Sequence, residues 1–80
     1  MTAQRLVYMA NQIAIFFKSQ PQDQAVAGTA DHIKKFWDPR MRRQILDHIQ
    51  STGGEGLSAI ALAATRSLGD AAANQGKAAA

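Results

Sequence analysis

The stretch Ala30-Asp31-His32-Ile33-Lys34-Lys35-Phe36-Trp37-Asp38-Pro39-Arg40-Met41-Arg42-Arg43-Gln44-Ile45-Leu46-Asp47 decides the fold. At its centre, Asp38-Pro39 ends one helix and starts the next. Proline pushes the residue before it out of the helical region, Asp is a favoured N-cap, and Pro suits the first helical position. Upstream, Val26, Ala30, Ile33 and Phe36 or Trp37 share one stripe, which predicts a helix over about Pro21–Phe36. Pro21 fits its first turn, where the missing N–H costs nothing. Gly28 lies inside that helix at a cost of about 1 kcal/mol relative to Ala, and its missing side chain would allow close packing of another helix. Downstream, Met41, Ile45, Leu46 and Ile49 predict a helix over about Pro39–Gln50.

The rest of the chain follows the same period. Leu6, Met9, Ala10, Ile13 and Phe17 recur every three or four residues across Thr2–Ser19, with Thr2 placed to cap. Val7, Tyr8, Ala14, Ile15 and Phe16 widen that stripe past a single face, so the first helix needs a second surface to cover it. Ser51-Thr52-Gly53-Gly54-Glu55-Gly56 reads as a loop. A fourth helix then carries Leu57, Ile60, Ala61, Ala64 and Leu68, with Ser58 as cap and Gly69 just past its end. Asp70–Ala80 is Ala-rich, has no large apolar residue, and is expected to be a flexible, disordered tail. No strand alternation or internal repeat is seen. The expected fold is all-α: one domain over residues 1–69, a small bundle of three to four short helices.

The composition bounds the core. The 80 residues include 37 hydrophobic ones, but 16 of these are alanine, which leaves 21 larger apolar side chains. A domain of this size buries only about 60–65% of its unfolded surface; it can fold alone, but its margin is thin unless a staple or a partner helps. There is no cysteine. Disulfides, thiolate metal sites, iron–sulfur ligation and a Cys nucleophile are therefore excluded. No apolar run approaches the roughly 20 residues of a membrane span. Gln4, Arg5, Asn11 and Gln12 break what would be a signal peptide's apolar stretch, so the expected location is the cytoplasm.

Catalytic constellations are missing. His32 and His48 are the only histidines, and neither belongs to a His-x-x-x-His or Glu-x-x-His pair. Asp31 and Asp47 adjoin them in sequence and so point to other sides of a helix. Gly53-Gly54-Glu55-Gly56 lacks the Gly-Lys-Ser/Thr ending of a phosphate loop and follows a helix rather than a strand. No catalytic, cofactor-binding or metal-binding residue is assigned.

The corner at Asp38-Pro39 is richer. Residues 30–47 hold Lys34, Lys35, Arg40, Arg42 and Arg43, five of the nine basic residues, and the only tryptophan. The chain's net charge is +3. Cations interleaved with aromatics suit a protein interface, where Trp, Phe, Met and Arg are enriched. They also suit nucleic acid, although Asp31, Asp38 and Asp47 would then face phosphates. A third reading makes the aromatics core and the arginines a solvated face. Phe36 fits that core reading by continuing the Ile33 stripe, while Trp37 and Met41 fit it less well.

Tyr8-Met9-Ala10-Asn11-Gln12-Ile13-Ala14, Phe16-Phe17, Ala30-Asp31-His32-Ile33 and Phe36-Trp37-Asp38-Pro39-Arg40-Met41-Arg42 carry a family resemblance. Together they resemble the delta subunit of NAD-dependent, molybdenum- or tungsten-containing formate dehydrogenases. The likeness spans about residues 5–50 and extends to Gly56-Leu57-Ser58. It implies a small accessory subunit with no redox centre of its own. The implied complex has a large catalytic (alpha) subunit with a bis-pyranopterin guanine dinucleotide metal centre and iron–sulfur clusters. Further subunits carry FMN and bind NAD. The complex oxidises formate to carbon dioxide, and delta subunits are associated with producing or maintaining its active, cofactor-loaded form.

The expected function is thus non-catalytic, with a transient maturation chaperone or a small basic nucleic-acid module as alternatives. The expected contact surface comprises Tyr8, Asn11, Gln12, Phe16, His32, Phe36, Trp37, Arg40, Met41, Arg42 and Arg43. Trp37 and Met41 are its apolar anchors, Asp38 and Pro39 its structural cap. Surplus apolar faces leave self-association of the isolated chain open.

Overall fold

A computed structural model describes the backbone of residues 1–79 and the side chains of residues 1–69. Four helices follow one another: α1 (Ala3–Phe17), α2 (Gln22–Phe36), α3 (Pro39–Thr52) and α4 (Ala59–Ala79), with no strand among the described residues.

The caps lie where the side chains predict. Thr2 Oγ1 accepts the Arg5 N–H at 3.1 Å and opens α1. Asp38 Oδ1 accepts the Met41 N–H at 2.9 Å and opens α3, with Pro39 in its first turn. Ser58 Oγ accepts the Ala61 N–H at 3.3 Å and opens α4. α3 outlasts the expected Gln50, with the Ser51 and Thr52 hydroxyls donating to the carbonyls of Asp47 and His48 and the Gly53 N–H to the Ile49 carbonyl. Gly53 then ends it at φ 75°, a left-handed conformation that favours glycine.

α4 corrects the expected stop at Gly69, because the helix runs through that position. A Cβ on Gly69 would lie 3.1 Å from Leu46 Cδ2, so the glycine serves close packing of α4 on α3. The side chains of the expected tail, residues 70–80, lie outside the described ones.

The core holds Leu6, Ala10 and Ala14 of α1, Ile33 and Trp37 at the end of α2, Ile45 of α3, and Ala61 and Leu68 of α4. α2 and α4 share the most extensive helix contact. α2 buries Ala25, Thr29, Ala30 and Ile33, and α4 buries Ala61, Ala64, Thr65 and Leu68. These mostly small residues let helix backbones approach closely. The two buried threonines carry no polar penalty: Thr29 Oγ1 donates to the Ala25 carbonyl and Thr65 Oγ1 to the Ala61 carbonyl, both at 2.8 Å. Gly28 is a point of close approach. A Cβ there would come within 2.7 Å of the Phe17 ring, which fixes where α1 crosses α2.

Candidate interaction surface

Leu6, Ala10 and Ala14 turn one side of α1 into the core. At 3.6 residues per turn, Tyr8 and Ile15 then fall on the opposite side, and Met1 precedes the helix. All three are open to solvent, Tyr8 at 61% and Ile15 at 60% exposure. Phe16 flanks them at 77%, its ring edge-on to Phe17 with centroids 5.0 Å apart. Gln12 is exposed on the same side. This is the second apolar face that the sequence demanded of the first helix. Ile15 belongs to it and was not among the expected contact residues, although its seven-residue spacing from Tyr8 carries the signal.

The α2–α3 corner differs from expectation in one respect. Trp37 is only 5% exposed and sits in the core, whereas Phe36 beside it is 71% exposed. The anchor role expected of Trp37 is therefore withdrawn. The physical reason is a ridge of residues four apart: Ala25, Thr29, Ile33 and Trp37 all face inward. Phe36 lies on the neighbouring ridge with Gly28 and His32. Its ring is tilted 34° against the His32 imidazole, centroids 4.6 Å apart. Met41 is half-buried and packs against the core, so it also supports the chain's own interior.

The charged groups at the corner divide into two sets. Lys35 pairs with Asp31 at 3.0 Å on an exposed helix face. Arg42 donates to the Lys34 carbonyl at 3.3 Å, tying α3 to the last turn of α2. Asp38 is engaged in capping. Lys34, Arg40 and Arg43 are exposed, and none makes an ion pair among the described residues. Arg40 sits in the first turn of α3, which has no acidic residue. A cation there opposes the helix dipole at about 0.3–1 kcal/mol.

Asn11, another expected contact residue, holds the molecule together. Its Nδ2 donates to the Gly56 carbonyl, and its Oδ1 accepts the Ser58 N–H, both at 2.9 Å. His48 bonds the Glu55 carbonyl through Nε2 at 2.8 Å. Thr52 Oγ1 accepts the N–H groups of Gly54 and Glu55. The glycine-rich segment is thus fastened to α1 and α3 as a turn.

Comparison with protein families now bears on these residues. The family model described as NADH-dependent formate dehydrogenase delta subunit, FdsD, matches residues 5–65. The chain belongs to this family. Curated proteins and solved structures each give no match. The matched region runs from α1 through the first turns of α4. It therefore includes most of the outer α1 face, the corner, and the fastened turn of this delta-family chain.

Between the end of α1 and the start of α4 lies a depression of about 250 Å³, lined by Ala14, Ile15, Lys18, Ser58, Ala59 and Ile60. It is smaller than the roughly 300–1,000 Å³ of small-molecule and cofactor pockets. Among the described residues no three His, Cys, Asp or Glu side chains converge. No helix there is long and apolar enough to cross a membrane.

Proposed function

We propose that the chain is a non-catalytic accessory subunit of a cytoplasmic NAD-dependent formate dehydrogenase, docked on the catalytic alpha subunit. It stabilises the assembly or supports formation of the cofactor-loaded enzyme. One observation carries this reading beyond family membership. The core is closed by the chain's own residues, yet Tyr8, Ile15, Phe16 and Phe36 remain exposed. Full burial of such side chains is worth about 1.5–3 kcal/mol each. Four together reach the same order as the roughly 4–15 kcal/mol cost of association. A partner surface that covers them is therefore reachable energetically, provided other groups set its orientation.

The cofactors belong to the partner subunits in this proposal: the bis-pyranopterin guanine dinucleotide molybdenum or tungsten centre, the iron–sulfur clusters, FMN and NAD. This chain's residues do not fit such groups. It has no cysteine to ligate a cluster, and the Gly54 and Glu55 amides and the Gly56 carbonyl of its glycine-rich segment are bonded to the chain itself.

Deleting the chain from the producing cell tests the reading. Metal, pterin and subunit content are measured in the remaining enzyme. Loss of cofactor with subunits intact indicates support of maturation, and loss of subunits indicates assembly. Unchanged cofactor, subunits and formate oxidation would overturn the accessory role.

A further inference from the structure

We propose that the α2–α3 corner is a receptor for an acidic amphipathic segment of the dehydrogenase complex. Phe36 enters an apolar site on that segment, and Arg40 and Arg43 meet carboxylates beside it. The proposal rests on the accessory-subunit reading and adds the chemistry of the partner.

The side chains at the corner are sorted by whether the chain itself uses them. Trp37 and Met41 serve the core, Arg42 the α2 carbonyl end, Lys35 and Asp31 each other, and Asp38 the α3 cap. What remains is one exposed aromatic and three exposed cations. Asp47, one turn beyond Arg43, makes no ion pair with it. Of the aspartates that weighed against an anionic partner in the sequence, Asp31 is paired with Lys35 and Asp38 faces the α3 amides.

Position strengthens the case. Arg40 stands in the first turn of α3, against the helix dipole, where folding alone favours Asp or Glu, and Arg43 follows one turn later. Asp38 caps the same terminus, but neither arginine makes an ion pair among the described residues, which leaves both open to an external anion. Phe36 is held by the His32 ring one turn before it, which limits the freedom lost on binding.

The anion is a protein carboxylate rather than a nucleic-acid phosphate because of what adjoins the corner. Gln44 of α3 donates to the Met1 carbonyl at 2.8 Å, which brings the start of α1 to the same end of the molecule. The outer α1 face exposes Tyr8, Ile15 and Phe16 among the polar Arg5 and Gln12, with Lys18 beside Ile15 at its far end. A phosphate backbone offers nothing apolar to cover it, whereas an acidic amphipathic segment does. A second copy of the chain is disfavoured by charge, since the same cations would meet themselves.

The test uses the complete complex, co-produced with tagged wild-type chain, with the Arg40→Glu/Arg43→Glu double variant, or with Phe36→Ala. Association is measured as affinity across about 0.05–0.5 M salt. The double variant restores favourable charge to the α3 N-terminus, so its melting temperature stays at or above wild type. Its affinity falls about tenfold or more at low salt. Phe36→Ala also loses about tenfold, with the salt dependence kept. Wild-type affinity in both variants, or affinity indifferent to salt, overturns the acidic partner while leaving the accessory reading intact. Equally tight binding of single-stranded RNA by the isolated chain, or a dimer abolished by Phe36→Ala, overturns it in favour of those occupants. A wild-type chain that never co-purifies removes the accessory reading and this inference together.

Discussion

Where α2 meets α4, the buried residues are mostly Ala25, Thr29, Ala61, Ala64 and Thr65, while the outer side of α1 and the α2–α3 corner display Tyr8, Ile15, Phe16 and Phe36. Several large side chains thus lie outside and many of the smaller ones inside. Small residues bring helix backbones close, so backbone and short side chains fill much of the interior volume. A few large groups, Leu6, Ile33, Trp37, Ile45 and Leu68, complete it. Stability and contact surface are therefore carried by different residues, sometimes by neighbours in sequence. Phe36 and Trp37 are the sharpest pair on which to test that separation.

The largest effect is expected for Trp37→Ala. Emptying a site that is 5% exposed in the core should cost about 3–5 kcal/mol, much of a small domain's stability. Urea unfolding followed by far-ultraviolet circular dichroism should show the midpoint collapse. Phe36→Ala, one residue away, should stay within about 0.5 kcal/mol of wild type. Equal losses in the two variants would break the comparison.

Asn11→Ala comes next. It removes both side-chain bonds that fasten α1 to Gly56 and Ser58. The loss should be about 1–2 kcal/mol, below that of a fully buried network, because water can reach the freed groups. Hydrogen exchange of the Ser58 amide should quicken beyond the change in global stability. An unchanged Ser58 amide would mean that the turn holds itself through Thr52 and His48 alone.

Asp38→Ala should cost about 1 kcal/mol through the lost cap on α3, and Asp38→Asn much less, since an amide oxygen also accepts the Met41 N–H. If the corner is the contact surface, Asp38→Ala should weaken association only as far as fraying of α3 displaces Arg40. Association that falls further than the melting temperature explains would give Asp38 a contact of its own.

Much of the architecture is legible because helix punctuation is local chemistry. Thr2, Asp38-Pro39 and Ser58 each announce a helix start, and each accepts an N–H there. The exchanged roles of Phe36 and Trp37 were harder to read because the decisive ridge passes through Thr29. A threonine counts as polar in a sequence stripe, which shifts the apparent face toward Val26 and Ala30. In the fold its hydroxyl is satisfied by its own helix, and Ala25, Thr29, Ile33 and Trp37 become one inward row. Thr65 conceals part of the inner face of α4 in the same way. Gly69 misleads for the opposite reason. It resembles a helix end, but its lack of a side chain answers to Leu46 on α3. The outer α1 face was legible as a surplus of apolar positions, whereas Asn11 was not legible as a clasp, since its partners lie 45 and 47 residues away.

The smallest expected effect on stability is the most telling about the outer face. Ile15 is 60% exposed, and Ser has nearly the same helix propensity as Ile, so Ile15→Ser removes surface without disturbing α1. Tyr8→Ser does the same one heptad earlier. Each should change unfolding free energy by less than about 0.5 kcal/mol while weakening association with the dehydrogenase complex. Phe16 is less clean, since its edge-on contact with Phe17 gives it about 0.5–1.5 kcal/mol of structural worth. If Ile15→Ser and Tyr8→Ser left both stability and association unchanged, the outer α1 face would be ordinary exposed surface. The contact would then contract to the α2–α3 corner, where Phe36 and the cations beside it would have to supply the affinity alone.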